Sequence, residues 1–275
     1  MQAALLALAC AAPAPADEAD LDPQAARGYD RYLQLTEARM KAELGPGGEF
    51  FYVDSLPVPQ RNELRARLER GEVVTERLET GDPSGVSRTP EGLIHHWVGT
   101  IFIPGAKIGE VLAVLSDYDR HSEFYQPEVV KSKILAHEGG DFKIYYRLKR
   151  KKVITVVLDT EYNVRYHAVN AGRTYSESHA TRIAQVDHAG EPDERQLPPG
   201  KGGGYLWRLD SYWRYQQSGR GVYVQCEAVS LTRDIPTGLH WLIGPFVESI
   251  PRESLAFTLE STRAAVFHQS LKAKQ

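Results

Sequence analysis

The chain lacks most of the residue patterns that identify an enzyme from its sequence. It contains only two cysteines, Cys10 and Cys226, and has no clustered Cys/His spacing, H-E-x-x-H pair, G-x-S-x-G elbow or phosphate-binding loop. Gly202-Gly203-Gly204 lacks the strand-then-helix context of a nucleotide site. His95 and His96 are adjacent in a predicted strand, so their rings point to opposite faces and cannot chelate one metal together. We therefore expect no metal and no cofactor.

Long apolar runs and excess charge of one sign are also missing. After the N-terminal segment, no stretch reaches the roughly 18 to 20 apolar residues that span a bilayer. The formal net charge of -3 gives no overall attraction to nucleic acid, so no nucleic-acid partner is expected. An apolar fraction of 42% beside 25% charged residues predicts a globular protein with a full core.

The N-terminal segment has features of an export signal. Ala3 to Ala12 is apolar, and Ala14-Pro15-Ala16 has the small-x-small form of a cleavage site. The positively charged region that normally opens such a signal is missing. We expect residues 1–16 to be a signal peptide and the mature protein to be periplasmic or secreted, with a lipoprotein modified at Cys10 as the alternative.

Two helices and a weak strand precede the main domain. Apolar spacing over Leu21 to Leu44 predicts a helix, and Val58 to Gly71 contains a second, shorter one. Glu72 to Leu78 has a loose strand pattern. A loop rich in Gly, Pro and Ser, Thr80 to Gly92, follows as a boundary. Residues 17–92 are therefore predicted to form an N-terminal helical extension and linker.

Beyond Gly92 the apolar period changes to two, which predicts strands. The predicted strands are Leu93 to Ile103, Val129 to Ala136, Asp141 to Leu148, Ile154 to Val169, Arg173 to Val186, Tyr205 to Gln216 and Val222 to Leu231. Hairpin-type turns between several of them indicate an antiparallel meander. Asp187 to Gly204 is polar and rich in Gly and Pro, which predicts a long flexible loop.

Two helices are predicted in the same region, a short one over Ile108 to Leu115 and a long one over Pro251 to Phe267. Gly244-Pro245 and Pro251 are expected to prevent a continuous helix before the long one.

A strand, a helical pair, an antiparallel meander and a long C-terminal helix follow one another in the order of the helix-grip fold. The segments that carry a family resemblance are Val111 to Asp119, Trp241 to Phe246, Ser249 to Leu255 and Leu255 to Glu260. Over about Leu93 to Phe267 the chain resembles the START-like, polyketide cyclase/dehydrase superfamily. The resemblance implies an α+β fold in residues 93–270, with a curved antiparallel sheet wrapped around the C-terminal helix. It also implies a cavity between sheet and helix for lipids, sterols, quinones, polyketides or other hydrophobic molecules.

Aromatic residues are the main candidates for the cavity walls, because Tyr and Trp combine apolar area with a polar tip that can orient a ligand. The candidate ligand-binding residues are Tyr146, Trp207, Trp213, Trp241, Phe246, Leu255 and Leu259. Alternation places Trp207 and Trp213 on one face of their strand, and helical spacing aligns Leu255 with Leu259. Trp241 to Phe246 is predicted to be either a mobile gate or a buried short helix.

The leading prediction is a protein, not an enzyme, that binds or transfers a lipid-like hydrophobic molecule. A polyketide cyclase or dehydratase using the same cavity is the alternative, and a module that docks a partner protein is a third. The polar strand residues that an acid–base enzyme could use are Glu161, His167, His179, Arg182 and Glu227. Because such residues more often form ion pairs or face solvent, we predict no catalytic residue. Lys149-Arg150-Lys151-Lys152 is expected to be a solvated hairpin tip, with transient membrane contact through anionic head groups as the alternative.

Overall fold

The computed structural model describes residues 20–80, 89, 92–151, 155–234 and 240–272, and within 240–248 it describes the backbone alone. The predicted signal segment, residues 1–16, lies outside the described residues, as does most of the predicted linker.

Five α-helices and nine strands make up the described part of the chain. The helices are α1 (Pro23–Leu44), α2 (Val58–Glu69), α3 (Ile108–Ser116), α4 (His121–Phe124) and α5 (His240–Lys272). The strands are β1 (Val74–Arg77), β2 (Gly92–Pro104), β3 (Val129–Glu138), β4 (Asp141–Lys151), β5 (Thr155–Asn170), β6 (Arg173–Asp187), β7 (Arg195–Gln196), β8 (Arg208–Ser218) and β9 (Gly221–Arg233). None of these helices is both long and apolar enough to cross a membrane.

All strands join one antiparallel sheet in the order β1-β2-β9-β8-β6-β5-β4-β3, and β7 pairs with β6 outside this path. The N- and C-terminal parts of the sheet meet where β2 pairs with β9, from Gly92 opposite Arg233 to Pro104 opposite Gly221. Consecutive strands from β3 to β6 pair as hairpins, which is the predicted meander. The sheet and its long C-terminal helix confirm the helix-grip α+β fold.

Helices α3 and α5 cover one face of the sheet, which we call the inner face. Side chains alternate between faces along a strand, and Ile101, Val224 and Cys226 pack in one buried cluster with Leu255 and Leu259 of α5. Burial of these apolar side chains fixes the helix against the sheet.

Helices α1 and α2 cover the opposite face, which we call the outer face. Tyr29 and Tyr32 of α1 pack with Val229 and Leu231, while Leu68 of α2 belongs to a separate cluster that also includes Phe102 and Tyr223. The N-terminal helices therefore form a second layer on the sheet, and β1 extends the sheet at its edge.

Two predicted features differ in the structure. Helix α5 begins at His240 and is continuous through Pro245 and Pro251, so the predicted interruption is wrong. A proline removes one backbone hydrogen bond, but the bonds of its neighbours can carry a helix through it. The predicted loop Asp187 to Gly204 contains β7 and is held by backbone bonds, such as Leu197 N–H to the Gln185 carbonyl at 2.8 Å.

Candidate functional site

Leu255 and Leu259 press directly on the inner face of the sheet. A Cβ atom added to Gly99 would lie 2.6 Å from Leu259 Cδ1 and 3.0 Å from Leu255 Cγ. Leu259 is fully buried. At Gly99 the two leucines therefore pack directly against β2, and their assignment as ligand-binding residues stays a prediction.

Trp207 lies on the outer face, in the cluster formed with Ala25, Tyr29 and Tyr32 of α1. It precedes β8, and its backbone N–H donates to the Leu231 carbonyl at 2.8 Å. The strand alternation that was expected to align it with Trp213 therefore does not extend to this residue. Trp207 faces away from the space that Trp213 borders.

Trp241 and Phe246 lie in the first turns of α5, where the side chains are outside the described residues. Their assignment as ligand-binding residues stays a prediction.

Tyr146 and Trp213 are the two predicted wall residues of the sheet whose side chains lie on the inner face. Tyr146 packs beside a cluster that includes Tyr118 and Tyr162, and Trp213 stacks on Tyr215 with ring centroids 6.4 Å apart. Both are only partly buried although they face the covered side of the sheet. Partial exposure at such positions indicates unfilled space beside them.

Other residues of the same face share this partial exposure. They are Leu148, Ser178, Ala180, Leu209, Ser211 and Ala228. By strand alternation and pairing they face the same side as Tyr146 and Trp213. Glu253 of α5 accepts a hydrogen bond from Arg150 of β4 at 3.1 Å, which ties the helix to the end of that strand. The candidate site is therefore a strip of small, apolar and aromatic residues on the inner face, from β4 to β9.

Buried tyrosine hydroxyls border this strip. Tyr118 and Tyr166 share a hydrogen bond of 2.9 Å, and Tyr125 bonds to Thr262 of α5 at 2.9 Å. Burial raises the pKa of Tyr166 to about 12 and also raises the pKa of Tyr118 well above its usual value. These groups are therefore neutral hydroxyls at ordinary pH.

His121 is the functional candidate that the sequence analysis missed. It occupies the single turn of α4, its Nδ1 lies 2.6 Å from the Tyr146 hydroxyl, and its Nε2 lies 3.3 Å from the Val114 carbonyl oxygen. Burial lowers the pKa of His121 to about 4, although its bonds to backbone carbonyls oppose the shift. The imidazole is therefore neutral near pH 7. A helix of one turn is too short to show an apolar period in the sequence. The only sequence signal for His121 was its position just after Asp117-Tyr118-Asp119.

The predicted acid–base candidates do not converge on the inner face. Lys143 Nζ lies 2.9 Å from a Glu161 oxygen, and Arg182 donates to the side chain of Gln196 at 2.6 Å. His167 lies 3.9 Å from a Glu177 oxygen. Each of these three residues therefore lies beside a charged or polar side chain of a neighbouring strand, and the prediction of no catalytic residue stays a prediction.

His179 and Glu227 bond to other polar side chains on the outer face. His179 Nδ1 lies 2.8 Å from Asp210 Oδ1, and Asp210 also accepts a bond from the Tyr29 hydroxyl at 2.6 Å. Glu227 contacts His96 at 2.7 Å and pairs with Arg39 of α1. These contacts join α1 to the sheet.

The pKa of Glu227 shows how this face tolerates charge. Burial acts against its ionisation, but the hydrogen bond from His96 and the positive charges of Arg39 and Arg214 hold the pKa of Glu227 below its usual value. Hydrogen bonds and opposite charges are the conditions under which a buried carboxylate remains ionised. Under α1 the sheet therefore holds a buried carboxylate that is fully paired.

Metal and thiol chemistry find little support in the described part of the chain. His188, Glu191 and Asp193 lie close enough to share an ion, but all three are exposed in a surface turn, where acidic groups are common for other reasons. His96 bonds to Glu227 on the outer face, while His95 bonds to Thr232 at 3.0 Å. Cys226 is a buried thiol, and burial raises its pKa.

No protein-family model matches the sequence, and no curated protein matches it. Among solved structures, a STAR-related lipid transfer protein from Xanthomonas axonopodis is similar at 16% identity, over 70% of this chain and 98% of that chain, with a TM-score of 0.45. The Zhui aromatase/cyclase from Streptomyces sp. R1128 is similar at 12% identity, over 64% and 96% of the two chains, with a TM-score of 0.45. Human STARD10 is similar at 12% identity, over 84% and 87%, with a TM-score of 0.43. The chain has the helix-grip architecture that its resemblance to START-like proteins implies, and this assignment rests on its own strand order and helices.

Proposed function

We propose that the protein binds, and transfers, an uncharged lipid-like molecule on the inner face of the sheet. The observation that carries the proposal is the partly exposed strip that includes Tyr146, Leu209 and Trp213 on a face otherwise covered by helices. Ligand sites are typically concave and mostly apolar, with a few polar groups that fix orientation. Tyrosine hydroxyls and the neutral His121 supply such groups here.

The distribution of charge supports an uncharged ligand. The ion pairs of Glu227 and Asp210 lie under α1, and the inner-face pair Arg150–Glu253 lies at the end of β4, where both charges are already partnered. The polar groups bonded beside Tyr146 and Tyr166 are hydroxyls and a neutral imidazole. Burying a charge without a partner is costly, and burying apolar area gains about 25 cal/mol per Å². An apolar molecule with one or two hydrogen-bonding groups fits this surface best.

The His121–Tyr146 pair favours a second function, an acid–base enzyme such as a cyclase or dehydratase. A neutral imidazole within 2.6 Å of a hydroxyl has the arrangement that proton transfer requires. We place binding first because the pair is already satisfied internally, through Tyr146 on one nitrogen and the Val114 carbonyl on the other.

The proposed place of action is the bacterial envelope, as a periplasmic or secreted protein. The apolar segment Ala3 to Ala12 and the small-residue site that follows it support this proposal. Transient contact with a membrane, through the basic run that begins at Lys149, is proposed as the route by which a lipid would be exchanged.

The test is to purify the protein from its native host and to identify bound lipids in organic extracts by mass spectrometry. We expect a reproducible lipid in the natural protein. Ser178→Asp should release it, because the new carboxylate would face apolar ligand without a partner. Thr181→Asp is the matched control, since Thr181 is an exposed position of the same strand.

Equal lipid content in Ser178→Asp and Thr181→Asp would contradict the proposed site. A protein that carries no lipid, but in which His121→Gln abolishes turnover of a polyketide substrate, would favour the enzyme.

A further inference from the structure

A second concavity lies beside β6, between the start of α1 and the segment that leads into β8. Its volume is about 420 Å³, within the range of small-molecule sites. The residues that line it are Asp20, Leu21, Ala180, Thr181, Arg182, Ile183, Pro199, Gly200, Lys201, Trp207 and Arg208. We refer to it as the β6 groove.

Hydrogen bonds donated by backbone N–H groups hold the groove in shape. Leu21 N–H donates to the Gly200 carbonyl at 2.9 Å, and Gly203 N–H donates to the Gln185 side chain at 2.8 Å. Arg233 N–H donates to the Gly204 carbonyl at 2.7 Å. Because the loop is fixed at three places, a ligand would meet a preformed site and would not have to order it.

The lining of the β6 groove is positively charged. It contains Arg182, Lys201 and Arg208 against the single carboxylate of Asp20, which pairs with Lys201. Arg182 donates to Gln196, and Arg208 donates to the Trp207 carbonyl at 3.1 Å. A guanidinium has five N–H donors, so both arginines retain further donors for a ligand.

Trp207 adds an unused donor to this lining. Its side chain is 5% exposed, and its indole Nε1 is a buried atom with no hydrogen-bond partner among the described residues. Buried N–H groups are normally bonded, and one without a partner requires an explanation. Nε1 itself is closed to solvent, so an acceptor atom of a ligand in the groove would bond to it only after the indole ring or its neighbours move.

We propose that the β6 groove binds the carboxylate or phosphate group of a soluble small molecule, with Arg182 and Arg208 as charged partners and the Trp207 indole N–H as a donor. Arginine forks match the geometry of carboxylate and phosphate oxygens. The groove shares Ala180 with the strip of the inner face, but Arg182, Arg208 and Trp207 are not part of that strip, so this inference does not depend on the lipid-binding proposal.

The test uses inorganic phosphate as the probe and NMR of the tryptophan indole N–H groups as the readout. The chain has four tryptophans, and Trp207→Phe identifies the resonance of interest. At constant ionic strength, phosphate should shift the Trp207 indole resonance saturably, while chloride should not. The double variant Arg182→Gln, Arg208→Gln should weaken phosphate binding about tenfold or more, as expected for lost charged hydrogen bonds.

Arg165→Gln is the control, because Arg165 is an exposed cation of the neighbouring strand that pairs with Asp141; it should bind phosphate unchanged. If the double variant does not fold, Arg182→Gln alone, at a half-buried side chain, gives the same comparison. The same response to phosphate and chloride, or unchanged affinity in a folded variant, would overturn the proposal. Binding to phosphatidylglycerol vesicles that needs both arginines, with no saturable response to phosphate, would overturn the assignment to a soluble molecule.

Discussion

Gly99 shows how one residue determines where the inner face can hold a ligand. The absence of a side chain at this position allows Leu255 and Leu259 to lie against β2. Where α5 is seated this closely, the space is filled by protein. The strip that includes Trp213 lies on other strands, where the inner-facing residues are partly exposed.

Substitution of Gly99 by Val should destabilise the protein by about 1–3 kcal/mol, the usual cost of overpacking a core. The added Cβ would meet Leu259 Cδ1 at 2.6 Å, so α5 would have to move. Urea unfolding measures the change. Gly109→Ala in α3 is the control, because a Cβ there meets nothing within 4 Å and alanine is the better helix residue. A Gly99→Val protein as stable as Gly109→Ala would show that α5 is not seated as described.

Two buried histidines predict how stability depends on pH. Burial lowers the pKa values of His95 and His121 from 6.5 to about 4. Between these values the unfolded chain binds protons that the native protein does not. Their contribution to the free energy of unfolding therefore falls as the pH is lowered from about 6.5 to about 4.

His121→Gln should reduce the slope of unfolding free energy against pH in this interval, by at most about 1.4 kcal/mol per pH unit for one proton. Urea unfolding at a series of pH values measures it. His137→Gln, at an exposed position, is the control and should leave the slope unchanged. Identical slopes in the natural protein and in His121→Gln would contradict the burial of this imidazole.

At the scale of elements, α1 is joined to the sheet by buried polar groups as well as apolar ones. Glu227 contacts His96 and Arg39, while the Tyr212 hydroxyl donates to Glu37 at 2.5 Å. Removing one member of such a network leaves its partners buried and incompletely bonded.

We expect Glu227→Gln to lower the unfolding free energy by about 2–3 kcal/mol, because His96 and Arg39 lose a charged partner. Glu177→Gln is the control, since Glu177 is half-exposed and lies 3.9 Å from His167; its cost should be below about 1 kcal/mol. Chemical denaturation of both variants gives the comparison. Similar costs at the two positions would show that the network contributes little to holding α1.

The helices and strands were largely predictable from sequence. The side chains that meet on each face of the sheet were only partly predictable. Helical spacing predicted the bounds of α1 and α2 to within a few residues, and period-two patterns predicted the long strands. Trp207 was misplaced because the chain departs from strand geometry just before β8, and His121 was missed because one turn has no period. Both outcomes depend on contacts between segments far apart in the chain, which local spacing does not contain.

At the scale of the whole molecule, the N-terminal helices cover apolar side chains of β2 and β9 on the outer face, and this cover should affect solubility. The prediction that residues 17–92 form an extension separate from 93–270 remains a prediction. The structure nevertheless places β1 in the sheet and Tyr29 of α1 over Val229. Without α1, apolar side chains and the Glu227 and Asp210 carboxylates of the outer face would lose their cover.

A chain that begins at residue 49 should therefore aggregate or bind hydrophobic dyes, because large exposed apolar patches are unusual in soluble monomers. A chain that begins at residue 20 retains α1 and should be a folded, soluble species. Size-exclusion chromatography and circular dichroism compare the two. A folded monomer from residue 49 would contradict the structural role assigned to α1.

The alternation of side chains along the central strands has one consequence for sequence change. Neighbouring positions such as Cys226 and Glu227 serve opposite layers, so a single-residue insertion within β9 would exchange them and turn a carboxylate towards α5 while turning a thiol towards α1. A substitution changes the packing against either α5 or α1 and leaves the other layer intact. An insertion or deletion in these strands would disrupt both layers at once. Length variation among natural variants should accordingly be confined to the hairpin connections.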